Sequence, residues 1–144
     1  MLRQLLFGSE IFGTAWANLG FTLLRMFTGF GLITHGMTKI PPSEKFLETV
    51  AKLGFPLPTM FGWAAGLSEF AGGALLIVGL LTRPASFFIL ITMLVAIFGR
   101  HAADPFGVKE LAALYAFIAF AFMIAGAGDW SVDAMLRPKG RRRR

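Results

Sequence analysis

Hydrophobic and polar positions in this chain are sorted into blocks. Four apolar stretches, at about residues 18–40, 58–81, 84–100 and 109–127, are separated by short polar segments. Each is close to the roughly 20 residues a helix needs to cross about 30 Å of hydrocarbon. The pattern predicts an all-α integral membrane protein, a bundle of four transmembrane helices. The segment between the first two stretches has a different rhythm. After Pro41-Pro42, Ser43 is placed to cap a helix with Phe46, Leu47, Val50 and Leu53 on one face and Glu44, Lys45, Glu48 and Lys52 on the other, ended by Gly54 and Pro56. This is a short amphipathic helix lying on the membrane surface between helices 1 and 2. Thr82-Arg83-Pro84 makes a tight stop and restart, with Pro84 in a first helical turn, where its missing N–H costs nothing. Residues 100–108 form a loop.

The flanks complete a one-domain layout. Residues 1–16 read as a retained interfacial segment, because Gly8, Ser9 and Glu10 interrupt the apolar run a signal peptide would need. Residues 17–133 form the membrane domain, and residues 134–144 a basic tail.

Composition supports the membrane. Of 144 residues, 56% are hydrophobic and only 15% charged, so a water-facing surface cannot be built from what remains. Sixteen Phe against one Tyr suits a lipid-facing surface, since Phe carries no polar group needing a partner in hydrocarbon. The net charge of +6 does not point to nucleic acid, because six of the fourteen basic residues lie in the last eight positions, beside the last span. There they act as a topology signal or a contact with anionic lipid. With four spans, both termini and Arg83 share one side, which holds eight Lys and Arg against five on the other. The balance places both termini in the cytoplasm, although the Arg141–Arg144 run supplies half of the eight.

The absence of cysteine removes disulfides, thiolate metal sites and iron–sulfur clusters. No metal-ligand spacing, Ser-His-Asp order or phosphate loop is present, and two histidines do not by themselves define a haem site. Chemistry must rest on ionisable residues inside the spans, each costing about 2.5–3.5 kcal/mol unless paired or hydrated. Arg25, His35 and Lys39 fall within roughly 80° of one another on the first helix, next to Gly29 and Gly36. The second helix carries Gly62, Gly66, Glu69 and Gly73, a small-residue stripe interrupted by a carboxylate. Glu69 is expected to pair with Arg25 or with the His35/Lys39 end. Two readings stand side by side. The pair sets helix register alone, or it belongs to a polar cavity walled by His35, Lys39, His101 and Glu110 with Tyr115 one turn deeper, suited to a proton relay or a quinone headgroup.

The motif order resembles the DoxX family of small prokaryotic membrane proteins. The resemblance runs over residues 20–133 and is carried by Leu24-Arg25, His35-Gly36-Met37-Thr38-Lys39, Leu53-Gly54-Phe55-Pro56, Gly66-Leu67-Ser68-Glu69 with Gly72-Gly73, Gly79-Leu80-Leu81-Thr82-Arg83, Glu110, and Gly126-Ala127-Gly128-Asp129-Trp130-Ser131-Val132-Asp133. The last motif departs from the family's Gly-Pro-Gly-Arg-x-Ser-x-Asp, with Asp129 where a basic residue is usual. The resemblance implies a four-helix inner-membrane protein, with some members described as subunits of thiosulfate:quinone oxidoreductase or of stress-linked redox complexes. The expectation is a membrane subunit of an oxidoreductase assembly, not a complete enzyme alone, with no intrinsic cofactor, a quinone as the candidate ligand, and a redox partner subunit or a second copy as candidate partners. A small transporter with Arg25 and Glu69 on its path, and an assembly factor recognising helices through its glycine stripes, are the competing classes.

Overall fold

A computed structural model describes residues 14–137. Every regular element among the described residues is a helix: α1 (Ala15–Met37), α2 (Glu44–Lys52), α3 (Pro58–Val78), α4 (Thr82–Val95, continued as a π-helical turn over Ala96–Arg100), α5 (Phe106–Ala125) and a short α6 (Val132–Met135). The interfacial segment expected at residues 1–16 lies almost wholly outside the described residues, and its last two, Ala15 and Trp16, open α1. Of the basic tail, residues 138–144 also lie outside.

Local chemistry explains the boundaries. Thr14 caps α1 by accepting from the Ala17 N–H at 3.2 Å, and Ser43 caps α2 by accepting from the Phe46 N–H at 3.3 Å. Pro58 opens α3, and Gly79, in the left-handed conformation at φ 68°, closes it.

Among the described residues, three helices are long and apolar enough to cross a membrane: Pro58–Val78, Thr82–Arg100 and Phe106–Ala125. The expected fourth, α1, has the length at 23 residues, but Asn18, Arg25 and His35 make it more polar than the others. Large apolar side chains nevertheless face outward from all four, among them Phe27 and Phe30 of α1, Phe70 of α3, Phe88 of α4 and Phe117 of α5. A surface of this kind is stable against lipid and unstable against water.

The four long helices share one core, formed by Leu32 of α1, Leu76 of α3, Ile89 and Met93 of α4, and Ala116, Ala119 and Phe122 of α5. The closest approach is between α1 and α3. A methyl group placed on Gly29 would sit 2.5 Å from the Gly73 carbonyl oxygen, and one on Gly36 would sit 2.5 Å from the Phe70 nitrogen. Further along α3, Gly66 admits Ile40, and Gly62 admits Leu47 of α2. These contacts give the glycine stripes their function. They set an antiparallel register between α1 and α3 and seat α2 across the start of α3.

Candidate functional site

That register decides the partner of the buried carboxylate. With Gly36 opposite Phe70 and Ile40 opposite Gly66, Lys39 leaves the end of α1 beside Glu69. Lys39 Nζ donates to both Glu69 oxygens, at 2.5 and 2.6 Å. Glu69 is 1% exposed, whereas the Lys39 side chain retains 31%. The carboxylate is thus held by a cation that reaches in from just beyond the end of α1.

Arg25 is not that partner. It lies opposite Gly79, ten residues from Glu69 along α3, which corresponds to about 15 Å of helix. Its guanidinium donates to the Ala127 carbonyl and, at 2.8 Å, to the Trp130 carbonyl. At the same end of the bundle the Asp133 carboxylate accepts from the N–H groups of Leu81 and Thr82 at 2.8 and 3.0 Å. Those N–H groups, at the start of α4, have no acceptor within the helix itself, and the chain enters them through Leu81 in the left-handed region at φ 48°. Asp129, where the family pattern has a basic residue, instead accepts from Arg137 at 3.0 Å and from Asn18 at 3.1 Å. The end of the bundle near both termini is therefore closed by polar bonds between α1, the α3–α4 turn and the segment after α5.

The opposite end is open. A cavity of about 640 Å³ lies under α2, between α3 and α4, with the Lys39–Glu69 pair in its wall. Most of the lining is apolar, with Phe46 and Val50 from α2, Phe61 from α3 and Phe88 from α4. The second polar feature is a hydroxyl pair, Ser68 Oγ and Thr92 Oγ1, 2.6 Å apart across α3 and α4. Lys45, Arg100 and His101 stand at the rim. His101 Nδ1 lies 2.7 Å from Asp104 Oδ2. The π-helical turn brings Ala96 and Arg100 to the cavity; such turns recur at functional sites.

Of the seven residues singled out from the sequence, the structure brings Lys39, Glu69 and His101 to this cavity. The others lie elsewhere. His35 is exposed, with its ring against Tyr115 at a centroid distance of 5.9 Å. The Tyr115 hydroxyl is pressed against Gly31. Glu110 is exposed on the first turns of α5. Arg25 belongs to the closed end. The sequence reading missed Ser68, Thr92 and the aromatic wall. Thr92 and Ser86 are the polar side chains in an otherwise apolar stretch, and that was the available signal. Among the described residues, no three His, Asp or Glu side chains converge as a metal site would require.

An all-helical bundle with an apolar exterior, and with a cavity beside a buried carboxylate paired to a lysine, describes a small membrane protein. The DoxX family profile matches residues 20–102. The chain belongs to the DoxX family. It is 32% identical over 126 residues to an uncharacterized protein of Haemophilus influenzae, covering 76% of this chain and 85% of that one. It is also 30% identical over 89 residues to a Bacillus subtilis protein named "Putative oxidoreductase CatD", covering 62% of this chain and 65% of that one. No solved structure matches.

Proposed function

We propose that this chain is the membrane subunit of an oxidoreductase assembly and that its Lys39–Glu69 cavity receives the headgroup of a quinone. In this reading α1 is a fourth span, both termini are cytoplasmic, and a partner subunit supplies the redox centre, since the chain has no cysteine. The observation that carries it is the setting of Glu69: a carboxylate 1% exposed, bonded by Lys39, in the wall of a mostly apolar cavity. The name of the Bacillus subtilis relative supports the same class.

The residues suit the ligand. A volume of about 640 Å³ lies in the range of small-molecule sites, roughly 300–1,000 Å³. Phe46, Phe61 and Phe88 offer flat apolar faces for a ring. Two of the three Lys39 N–H bonds go to Glu69, leaving one to donate to a ligand carbonyl. A bound quinone would supply acceptance of an electron pair coupled to proton uptake. Lys39 would orient the carbonyl, Glu69 would accept or return a proton at its carboxylate oxygens, and the aromatic wall would exclude water. The closed end, sealed by Arg25 and Asp133, favours a binding site over a transport path.

The test is mass spectrometry of protein purified gently from native membranes, with quinone binding measured on wild type and Glu69→Gln. A copurifying redox partner, and quinone binding lost in Glu69→Gln, support the assignment. A lone protein that binds no quinone and drives solute flux in proteoliposomes establishes the transporter class instead.

A further inference from the structure

Beside the cavity lies a second groove of about 440 Å³, with Leu94 and Phe98 in its wall. The two share four residues, Leu53, Phe55, Ile91 and Val95, so they adjoin along one wall. The junction is at Leu53, which reaches α4 because Gly99 has no side chain; a methyl group there would meet Leu53 at 3.3 Å. The groove faces outward from a helix long and apolar enough to span the membrane, with Phe98 75% and Ile91 45% exposed.

The two compartments differ in chemistry. The cavity holds Lys39, Glu69, Ser68 and Thr92, whereas no polar side chain lines the groove. A polar headgroup finds charged and hydroxyl side chains in the cavity, and an alkyl chain meets apolar side chains in the groove. A compartment with charged and hydroxyl side chains, sharing its walls with one lined by apolar side chains alone, is complementary to an amphiphile.

We infer that the groove between the α2–α3 connection and α4 holds the hydrocarbon tail of the ligand whose headgroup the cavity binds. This rests on the headgroup reading above and deepens it. The ligand is a tailed quinone drawn laterally from the bilayer, passing Leu53 and Ile91, and not a water-soluble molecule entering past the basic rim. Burial of an alkyl tail against protein gains little over lipid unless it packs closely. The groove therefore selects by fit, and filling it should exclude the tail.

The experiment uses the full chain in lipid nanodiscs and two probes, a dimethoxy-methyl-benzoquinone carrying a decyl tail and the same ring without one. Each variant is compared with wild type using the same probe, so lipid partitioning cancels. Leu94→Trp fills the groove and is expected to weaken the decyl probe about tenfold while leaving the tail-less ring within about twofold. Equal effects on both probes, or none on either, overturn the tail assignment while leaving the headgroup site standing. Failure of wild type to bind either probe overturns the headgroup reading and this inference with it. Should Leu94→Trp fail to fold, wild type is photolabelled with a diazirine at the tail end. Labelling of the Ile91–Gly99 peptide, competed by excess unlabelled decyl probe, is expected; uncompeted labelling spread over lipid-facing Phe117 and Phe120 overturns the assignment.

Discussion

Gly29 and Gly73 meet backbone to backbone across α1 and α3, and a methyl group on either would fall 2.5–2.6 Å from the other's carbonyl oxygen. The neighbour is main chain, so it cannot swing aside. Gly29→Ala and Gly73→Ala should each destabilise the bundle by about 1–3 kcal/mol, read by thermal unfolding in detergent. Gly20→Ala, with nothing within 4 Å of the new methyl, should be neutral or stabilising by up to about 1 kcal/mol. Equal effects at Gly20 and Gly73 would exclude this packing.

The Lys39–Glu69 pair should respond asymmetrically. Lys39→Met leaves an unpaired carboxylate in an apolar wall and is expected to cost about 2–4 kcal/mol, discounted because Lys39 keeps part of its exposure. The Lys39→Met/Glu69→Leu double variant should recover most of that stability while losing ligand binding. Denaturant unfolding of the two variants, with binding measured beside it, separates the pair's contribution to folding from its contribution to the site.

Arg25 and Asp133 act on the fold and not on the cavity. Asp133→Ala removes two hydrogen bonds to the start of α4 and should cost about 2 kcal/mol. Arg25→Gln leaves the Ala127 and Trp130 carbonyls short of a charged donor and should cost about 3 kcal/mol. Variants that still fold should bind ligand as wild type does. A loss of affinity with no loss of stability would move Arg25 into the site.

The absence of cysteine makes topology directly testable. Ala15→Cys and Met135→Cys, both at exposed positions near the closed end, should be labelled by membrane-impermeant maleimide only after the cytoplasmic face is opened. Glu44→Cys and Ala103→Cys, at the cavity end, should be labelled in intact spheroplasts. Labelling of Ala15→Cys and Glu44→Cys from the same side would show that α1 does not cross.

Several features were legible in the chain because they depend on local pattern. The cap at Ser43, the start near Pro58 and the amphipathic face of α2 follow from neighbouring residues, since capping and periodicity act within a few positions. The turn after α3, expected at residues 82–84, falls instead at residues 79–81, with Thr82 already helical. That Glu69 must be paired also followed, because an isolated carboxylate in hydrocarbon is costly. Its partner did not follow. Arg25, His35 and Lys39 share a helix face, and the choice among them depends on how far α1 slides along α3.

What the sequence alone determined, then, is a helical membrane bundle with small-residue faces and a carboxylate in need of a cation, all consequences of hydropathy and local stereochemistry. What only the tertiary structure decided is which side chains meet. Backbone contact at Gly29/Gly73 and Gly36/Phe70 sets Lys39 against Glu69 and sends Arg25 to the carbonyls after α5. Packing of α2 over α3 and α4 then roofs a cavity whose hydroxyls and aromatic rings come from four separate segments. Contacts of this kind depend on register and interhelical distance, which are properties of two surfaces together and are written in neither segment by itself.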